Sequence, residues 1–347
     1  MKIHEKYLAR CIQLAKNGFG TTYPNPMVGS VIVYNNQIIG EGWHKKAGEP
    51  HAEVNAVNSV KDKSLLHKAT IYVSLEPCSH FGKTPPCCDL IIQNKIPNVV
   101  IGTVDPNEKV AGNGIKKLLE AGINVTVGIL EDECNELNKR FFTFHQKRRP
   151  YVILKWAESQ DGFIAPAERD ELKPVWISNH YSRQLVHKWR SDEQAILVGT
   201  QTAIDDNPKL DVRDWTGKHP VRVVLDRNNR IPKENFLFDN LIKTIVFCKS
   251  NTNRNQENLI FERIDFDQNT IQQILQTLFK HQIQSVLIEG GRQTLQAFID
   301  KNIWDEARIF KGKNHFKEGI KAPIITSKII QKQFILEDEL LIIKNHD

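Results

Sequence analysis

The sequence predicts an α/β protein built in two units. Short apolar, β-branched runs alternate with amphipathic helical stretches through both halves of the 347 residues, the pattern of a layered sheet covered by helices. The alternation is interrupted at Lys147-Arg148-Arg149-Pro150, where a charged run ends in a residue unsuited to a helix interior. The chain is also longer than one typical domain of about 100–200 residues. Units over 1–147 and 150–347 are therefore expected.

In the first unit, Leu8, Cys11, Ile12 and Ala15 recur at helical spacing from Glu5 to Lys16 and stop at Gly18. Val28 to Tyr34 and Gln37 to Gly40 read as a hairpin turned at Asn35-Asn36. A helix over Ala52 to Val60, a strand at Thr70 to Leu75 and a helix opening at Cys87 follow. Next come a strand at Asn98 to Thr103, a helix at Gly114 to Ala121, a strand at Ile123 to Ile129 and one helix from Glu131 to His145. In the second unit, strands are expected at Tyr151 to Trp156, Ala195 to Val198, Val221 to Asp226, Thr244 to Cys248, Ser285 to Glu289 and Phe334 to Lys344. Helices are placed near His180 to Trp189, Thr270 to His281 and Gln293 to Lys301, and the polar stretch Lys249 to Asn258 reads as an exposed loop.

Composition narrows the class. Apolar residues make up 40%, enough for real cores, and the net charge of +6 is dispersed rather than gathered in an arm or stripe. That suits a phosphorylated small molecule and gives no nucleic-acid footprint. Six cysteines without regular pairing, a start lacking an apolar signal core and no long apolar run point to the reducing cytoplasm, without disulfides and without a membrane.

The most informative residues are His51-Ala52-Glu53, Pro77-Cys78 and Cys87. One imidazole and two thiolates are three ligands for a tetrahedral zinc, and the fourth position then stays open for water, as in catalytic sites. Glu53 lies close by as a carboxylate the metal does not need. Zinc deaminases of nucleobases use this set, with the glutamate moving protons. Residues i and i+2 of a helix face nearly opposite ways, so His51 and Glu53 can serve one metal only if His51 stands at the helix entry. Cys87, after Pro85-Pro86, is expected at a helix start, where the dipole favours a thiolate. Cys88 is the rival, but it points about 100° away around a helix.

Further stretches carry a resemblance: Thr22 to Gly29, Gly42 to Pro50, Ser79 to Pro86, Lys155 to Gly162, Trp176-Ile177-Ser178, Gly199 to Pro208 and Glu289-Gly290-Gly291-Arg292. Together they resemble the bifunctional enzymes of riboflavin biosynthesis, in which a diaminohydroxyphosphoribosylaminopyrimidine deaminase is fused to a 5-amino-6-(5-phosphoribosylamino)uracil reductase. The resemblance implies a cytidine-deaminase-like domain followed by a dihydrofolate-reductase-like domain, with zinc and NADPH as cofactors. Zinc would be held by His51, Cys78 and Cys87, and Glu53 would be catalytic. Asn25 and His44 would hold the pyrimidine, with Lys83, Asp105 and Asn107 near the ribose phosphate. In the second domain Lys155 and Glu289 would flank the reacting carbon, with Pro174, Arg190, Leu210 and Arg213 also on the substrate side. The cofactor would lie against Glu158, Trp176, Thr202, Asp206 and the segment Gly291, Arg292, Gln293, Thr294. A Gly-Gly pair between a strand and a helix lets backbone amides approach a pyrophosphate.

The chain departs from the usual pattern at Glu158, where relatives carry a small residue, and at Pro174, where they carry serine. Arg227, after the expected strand Val221 to Asp226, stands where relatives often carry a small hydroxyl residue, and its guanidinium could clasp the 2′-phosphate of NADPH. The expected partner is a small phosphorylated pyrimidine, with no nucleic acid and no membrane, and a homo-oligomer is expected. Two alternatives are a transfer-RNA deaminase with an auxiliary domain and a deaminase whose reductase-like half is inactive. The long gap from Cys78 to Cys87 and the missing basic stripe oppose the first.

Overall fold

The structure is a computed structural model that describes residues 2–81, 85–107, 111–168, 175–250 and 254–345. The chain divides into two compact units, Met1–Arg148 and Arg149–Asp347.

Unit 1 contains α1 (Lys2–Ala15), β1 (Gly29–Tyr34), β2 (Gln37–Trp43), α2 (Ala52–Ser59), β3 (Thr70–Leu75) and α3 (Cys87–Gln93). It continues with β4 (Asn98–Thr103), α4 (Asn113–Glu120), β5 (Asn124–Val127), α5 (Glu131–Leu137) and α6 (Lys139–Lys147). The sheet order is β2-β1-β3-β4-β5, with β3, β4 and β5 parallel and β1 antiparallel to both its neighbours. Successive strand residues point to opposite faces, so Val31 and Val33 pack with Leu8, Cys11 and Leu14 of α1 while Ile32 joins Ala56, Ile91 and Leu118 of α2, α3 and α4. Apolar positions on both sides of the sheet are what a three-layer α/β/α unit requires.

The single helix expected from Glu131 to His145 is two helices that meet at Asn138, whose φ of −108° interrupts the spiral. Its side chain explains the break. Asn138 Oδ1 accepts from the Met27 backbone N–H at 2.8 Å and Nδ2 donates to the Met27 carbonyl at 2.8 Å, which ties this corner to the segment carrying Asn25.

Unit 2 contains β6 (Tyr151–Glu158), β7 (Phe163–Pro166), α7 (His180–Asp192), β8 (Ala195–Val198), α8 (Thr200–Asp206), β9 (Val221–Leu225), β10 (Thr244–Cys248) and β11 (Leu259–Arg263). It continues with α9 (Thr270–Lys280), β12 (Ser285–Ile288), α10 (Arg292–Asp300), β13 (Glu306–Lys311), β14 (Gly319–Lys321), β15 (Ile329–Ile335) and β16 (Asp338–Lys344). The main sheet runs β11-β10-β9-β8-β12-β6-β13-β16-β15, parallel from β11 to β13 and closed by the antiparallel pair β16 and β15. Val152, Leu154, Val286 and Ile288 pack with Ile274, Leu278 and Phe298 of α9 and α10. On the other face Tyr151, Ile153 and Leu287 pack with Val186 and Trp189 of α7.

The strand expected over Phe334 to Lys344 is instead the β15–β16 hairpin, turned at Leu336 with φ 52°. β7, β11, β13 and β14 were not anticipated, because strands of three to six residues lack a decisive period, and neither was α8, whose seven residues carry no apolar stripe.

Candidate functional site

In unit 1 the chain enters α2 at His51, which caps the helix in extended conformation (φ −70°, ψ 166°) and so turns its ring to the same side as Glu53. Cys87 is the first residue of α3. The ligand atoms of His51, Cys78 and Cys87 all lie within 4.8 Å of one another. His51 Nδ1 is 3.6 Å from Cys78 Sγ and 3.4 Å from Cys87 Sγ. Tetrahedral zinc bonds of about 2.0–2.1 Å to nitrogen and 2.3 Å to sulfur place those atoms about 3.6 Å apart, so the donor set fits the ion. Cys88 faces away, its thiol 3.3 Å from the Pro77 carbonyl and 3.6 Å from that of Gly114.

The surroundings favour one thiolate, at Cys78, while the hydrogen bond to Cys78 and burial push the Cys87 thiol up, against the expectation of a thiolate at that helix start. Hydrogen bonding from the Cys87 thiol holds Cys78 down at about 4 against the opposing effect of burial, with His51 and the Cys87 backbone N–H adding to it. Glu53 is 4% exposed, and burial raises its pKa, offset in part by His51. A carboxyl so placed can take up a proton and return it.

Asn25 and His44 meet beside this cluster. His44 Nδ1 is 3.2 Å from the Pro50 carbonyl, which can only accept, so Nε2 is the acceptor for Asn25 Nδ2 at 3.1 Å. The His44 ring lies edge-on to that of His51, 5.4 Å between centroids. Asp105 is buried and pushed up to about 6, chiefly by burial, and its Oδ1 accepts from the Asn107 N–H at 2.8 Å. Lys83 lies outside the described residues.

Glu76 was missed by sequence reasoning. Its carboxylate accepts from the backbone N–H groups of Asp105, Gly112, Gly114 and Ile115 at 2.9–3.3 Å, which joins the strand end before Cys78 to the Asp105 turn and the start of α4. The signal available was an acidic residue closing a buried strand directly before Pro77-Cys78.

In unit 2 the candidate residues gather at the carboxyl ends of parallel strands, where open α/β sheets bind ligands. Glu289 follows β12 and takes two hydrogen bonds from Arg190 of α7, at 2.7 and 3.1 Å, with Lys155 of β6 3.9 Å away. Burial pushes Glu289 up, but the charges of Arg190 and Lys155 outweigh it and hold the carboxyl at about 2. Burial lowers Lys155, and Arg190 adds to this while Glu289 opposes it. Arg190 Nη1 also reaches the Asp211 carbonyl at 3.3 Å, beside Leu210 and Arg213.

Next to this cluster two bare backbone turns lie together. A Cβ on Gly290 would come within 2.6 Å of Val198 Cα, and one on Gly199 within 2.7 Å of Thr294 Oγ1. Gly291 has φ 53° and opens α10, with Thr202 Oγ1 3.2 Å from where its Cβ would be. Arg292 and Gln293 follow, exposed, on the first turn of α10. Such a cradle admits a pyrophosphate against backbone N–H groups, so the residues fit a dinucleotide. Trp176 is exposed, with the Arg183 guanidinium 4.7 Å from its ring centroid, and Asp206 is half-buried at the end of α8. Pro174 lies outside the described residues.

Glu158 is not an isolated charge. It accepts from Trp156 Nε1 at 2.9 Å and pairs with Lys311 across β6 and β13 at 3.5 Å. Arg227, at the end of β9, already has a carboxylate partner: Nη2 is 2.7 Å from Asp267, which also pairs with Lys249 at 3.2 Å. A broad open groove between α1 and β2, crossed by the Arg10–Glu41 pair, contains none of these residues.

Comparison with known proteins gives matches in both units. Residues 1–103 match the cytidine and deoxycytidylate deaminase zinc-binding region, and residues 150–312 match the RibD C-terminal domain. The riboflavin biosynthesis protein RibD of Aquifex aeolicus is 40% identical over 92% of this chain and 89% of its own length. The chain belongs to the RibD family. The RibD of Escherichia coli is 35% identical, covering 88% of this chain and 86% of its own. The crystal structure of a diaminohydroxyphosphoribosylaminopyrimidine deaminase/5-amino-6-(5-phosphoribosylamino)uracil reductase from Thermotoga maritima superposes with a TM-score of 0.89, at 36% identity and 99% coverage of both chains.

RibD proteins are bifunctional deaminase/reductases of riboflavin biosynthesis, and this chain carries both halves, with zinc and NADPH as cofactors. A family match through residue 312 stands where an auxiliary nucleic-acid-recognition domain was the alternative. No helix among the described residues is long and apolar enough to cross a membrane.

Proposed function

We propose that unit 1 deaminates 2,5-diamino-6-(5-phosphoribosylamino)pyrimidin-4(3H)-one and that unit 2 reduces the ribosyl group of the product, giving 5-amino-6-(5-phosphoribitylamino)uracil. The observation that carries the first step is the set His51, Cys78 and Cys87 at zinc spacing with Glu53 buried beside it. Zinc bound there supplies the Lewis acidity that lets a water ionise near neutral pH. Glu53 takes the proton of the attacking water and returns it to the departing amino group, which leaves as ammonia while the ring carbon becomes a carbonyl. Asn25 and His44, locked to each other, present the pyrimidine to this carboxylate.

In unit 2 NADPH supplies the hydride for C1′ of the ribosyl group. Glu289, held ionised, fixes Lys155 and Arg190 on either side of its carboxylate. Lys155 is a buried ammonium whose lowered pKa suits donation of a proton to the opening sugar. Arg190 and Arg213 take the ribose phosphate, and Gly291 to Thr294 with Thr202, Asp206, Glu158 and Trp176 take the cofactor. The phosphorylated substrate is a small molecule in the cytoplasm, neither nucleic acid nor membrane enters the reaction, and the working enzyme is a homo-oligomer.

The test is a steady-state assay of the purified chain with the diaminopyrimidinone phosphate, with and without NADPH. Ammonia release without NADPH, followed by NADPH oxidation equal to the ammonia formed, is expected. Absence of ammonia release from a zinc-loaded sample would end the reading of unit 1, and ammonia release without NADPH oxidation would end that of unit 2.

A further inference from the structure

The segment 207–220, which joins α8 to β9, has no helix or strand and carries Leu210 and Arg213. Leu210 has φ 49°. A left-handed backbone costs a branched L-residue about 1–2 kcal/mol and persists only where its surroundings impose it. One constraint is packing, since the Leu210 side chain is buried among Ile196, Val198, Ala203 and Val224.

The other constraint comes from two imidazoles. The Val212 N–H donates to His219 Nδ1 at 3.0 Å, and the next N–H, of Arg213, donates to His187 Nδ1 at 3.4 Å. His187 is 3% exposed on α7, three residues before Arg190 and therefore on the same face. Its Nε2 is 3.3 Å from the Asp214 carboxylate. Accepting at Nδ1 and donating at Nε2 describes the neutral Nε2–H tautomer, which is the form this network assigns. With Arg190 holding the Asp211 carbonyl, α7 grips Asp211, Arg213 and Asp214 in succession.

We propose that His187, seconded by His219, is a positioning residue for the reductase, holding the Leu210–Asp214 segment so that Arg213 stands with Arg190 to receive the substrate phosphate. The inference rests on the reading of Arg190 and Arg213 as phosphate ligands. Burial, with the charges of Arg190 and Arg213, lowers the His187 pKa against the opposing pull of Asp214 and Glu289, which keeps Nδ1 an acceptor at neutral pH. Neither histidine is hydrogen-bonded to Lys155 or Glu289, so its loss acts on binding rather than on the chemical step.

The experiment measures reductase kcat and KM, with thermal midpoints as the folding control, in the full chain carrying His187→Gln, His187→Asn, His219→Ala or Arg213→Ala. Glutamine can reach Asp214 but leaves no acceptor at the Nδ1 position, whereas the asparagine oxygen falls near it. His187→Gln should raise KM about tenfold with kcat within about twofold, the size of one lost hydrogen bond to a group that orders a charge, and His187→Asn should recover most of that. His219→Ala, at an exposed position that tolerates truncation, should raise KM about threefold, and this variant decides the matter if the Gln variant does not fold. Unchanged KM in both His187→Gln and His219→Ala, or equal falls in kcat for the Gln and Asn variants, overturns the inference. Arg213→Ala separates the two levels: unchanged KM there refutes the phosphate reading itself, while a raised KM there with normal histidine variants refutes only the positioning role.

Discussion

Replacing Glu289 by Gln should destabilise unit 2 in a pH-dependent way. Glu289 has 8% of its side chain exposed, between Arg190 at 12% and Lys155 at 15%. A carboxyl held at about 2 instead of its ordinary 4.5 carries about 3 kcal/mol of linkage. The variant leaves two buried cations without their anion, a loss that commonly runs to about 3–5 kcal/mol. Removing the carboxylate also leaves the desolvation of Lys155 uncompensated, so about 3 kcal/mol at pH 7 is expected.

The sign follows from the direction of the shift. The folded pKa lies below the unfolded one, so the carboxylate's contribution is complete above pH 4.5 and disappears as pH falls from 4.5 to 2. The stability gap between wild type and Glu289→Gln should therefore shrink to about 1 kcal/mol or less near pH 2.5. Urea denaturation followed by tryptophan fluorescence reads mainly unit 2, because five of the six tryptophans, all but Trp43, belong to it. A gap that stays constant from pH 7 to pH 2.5, or none at pH 7, would refute the argument that Arg190 and Lys155 hold the carboxylate ionised.

Cys78→Ser and Cys87→Ser should each lose zinc while Cys88→Ser keeps it, because only the first two thiols face His51; elemental analysis showing zinc in Cys87→Ser and none in Cys88→Ser would reverse the ligand set. Glu53→Gln should keep both zinc and fold while deamination slows about 10²–10⁴-fold, the usual worth of a general acid–base, and activity within a few-fold of wild type would remove Glu53 from its role. Arg227→Ala should weaken NADPH binding about tenfold and leave NADH nearly unchanged, whereas Asp267→Asn, which frees Arg227 and Lys249 from their shared carboxylate, should tighten NADPH; equal effects of Arg227→Ala on both cofactors in a binding titration would show that Arg227 does not read the phosphate.

Much of the deaminase centre was legible because its chemistry is local. His51 and Glu53 are two residues apart, Cys78 follows Pro77, and Cys87 follows two prolines, so helix-entry geometry could be argued from adjacent residues alone. Cys87 could be preferred over Cys88 by rotation around the helix, and the Cys88 thiol does point to the Pro77 carbonyl. The α/β class was equally visible, since strand and helix periods are properties of short windows.

What the sequence by itself determined was the class of each unit, the family and the candidate zinc donors, His51, Cys78 and Cys87, that the fold brings together. Only the tertiary structure decided what depends on contacts between distant residues. Asn138 breaks a helix whose own sequence shows no break, because its side chain finds the backbone of Met27, 111 residues earlier. Glu76 takes its partners 29 to 39 residues downstream, and Arg190 meets Glu289 across 99 residues. Arg227 reads as an unpaired cation until Asp267 is brought beside it by the chain's return past β10. A buried polar group is satisfied by whatever the fold carries to it, and hydrophobic period, which positions the elements, holds no record of which polar atoms will then meet.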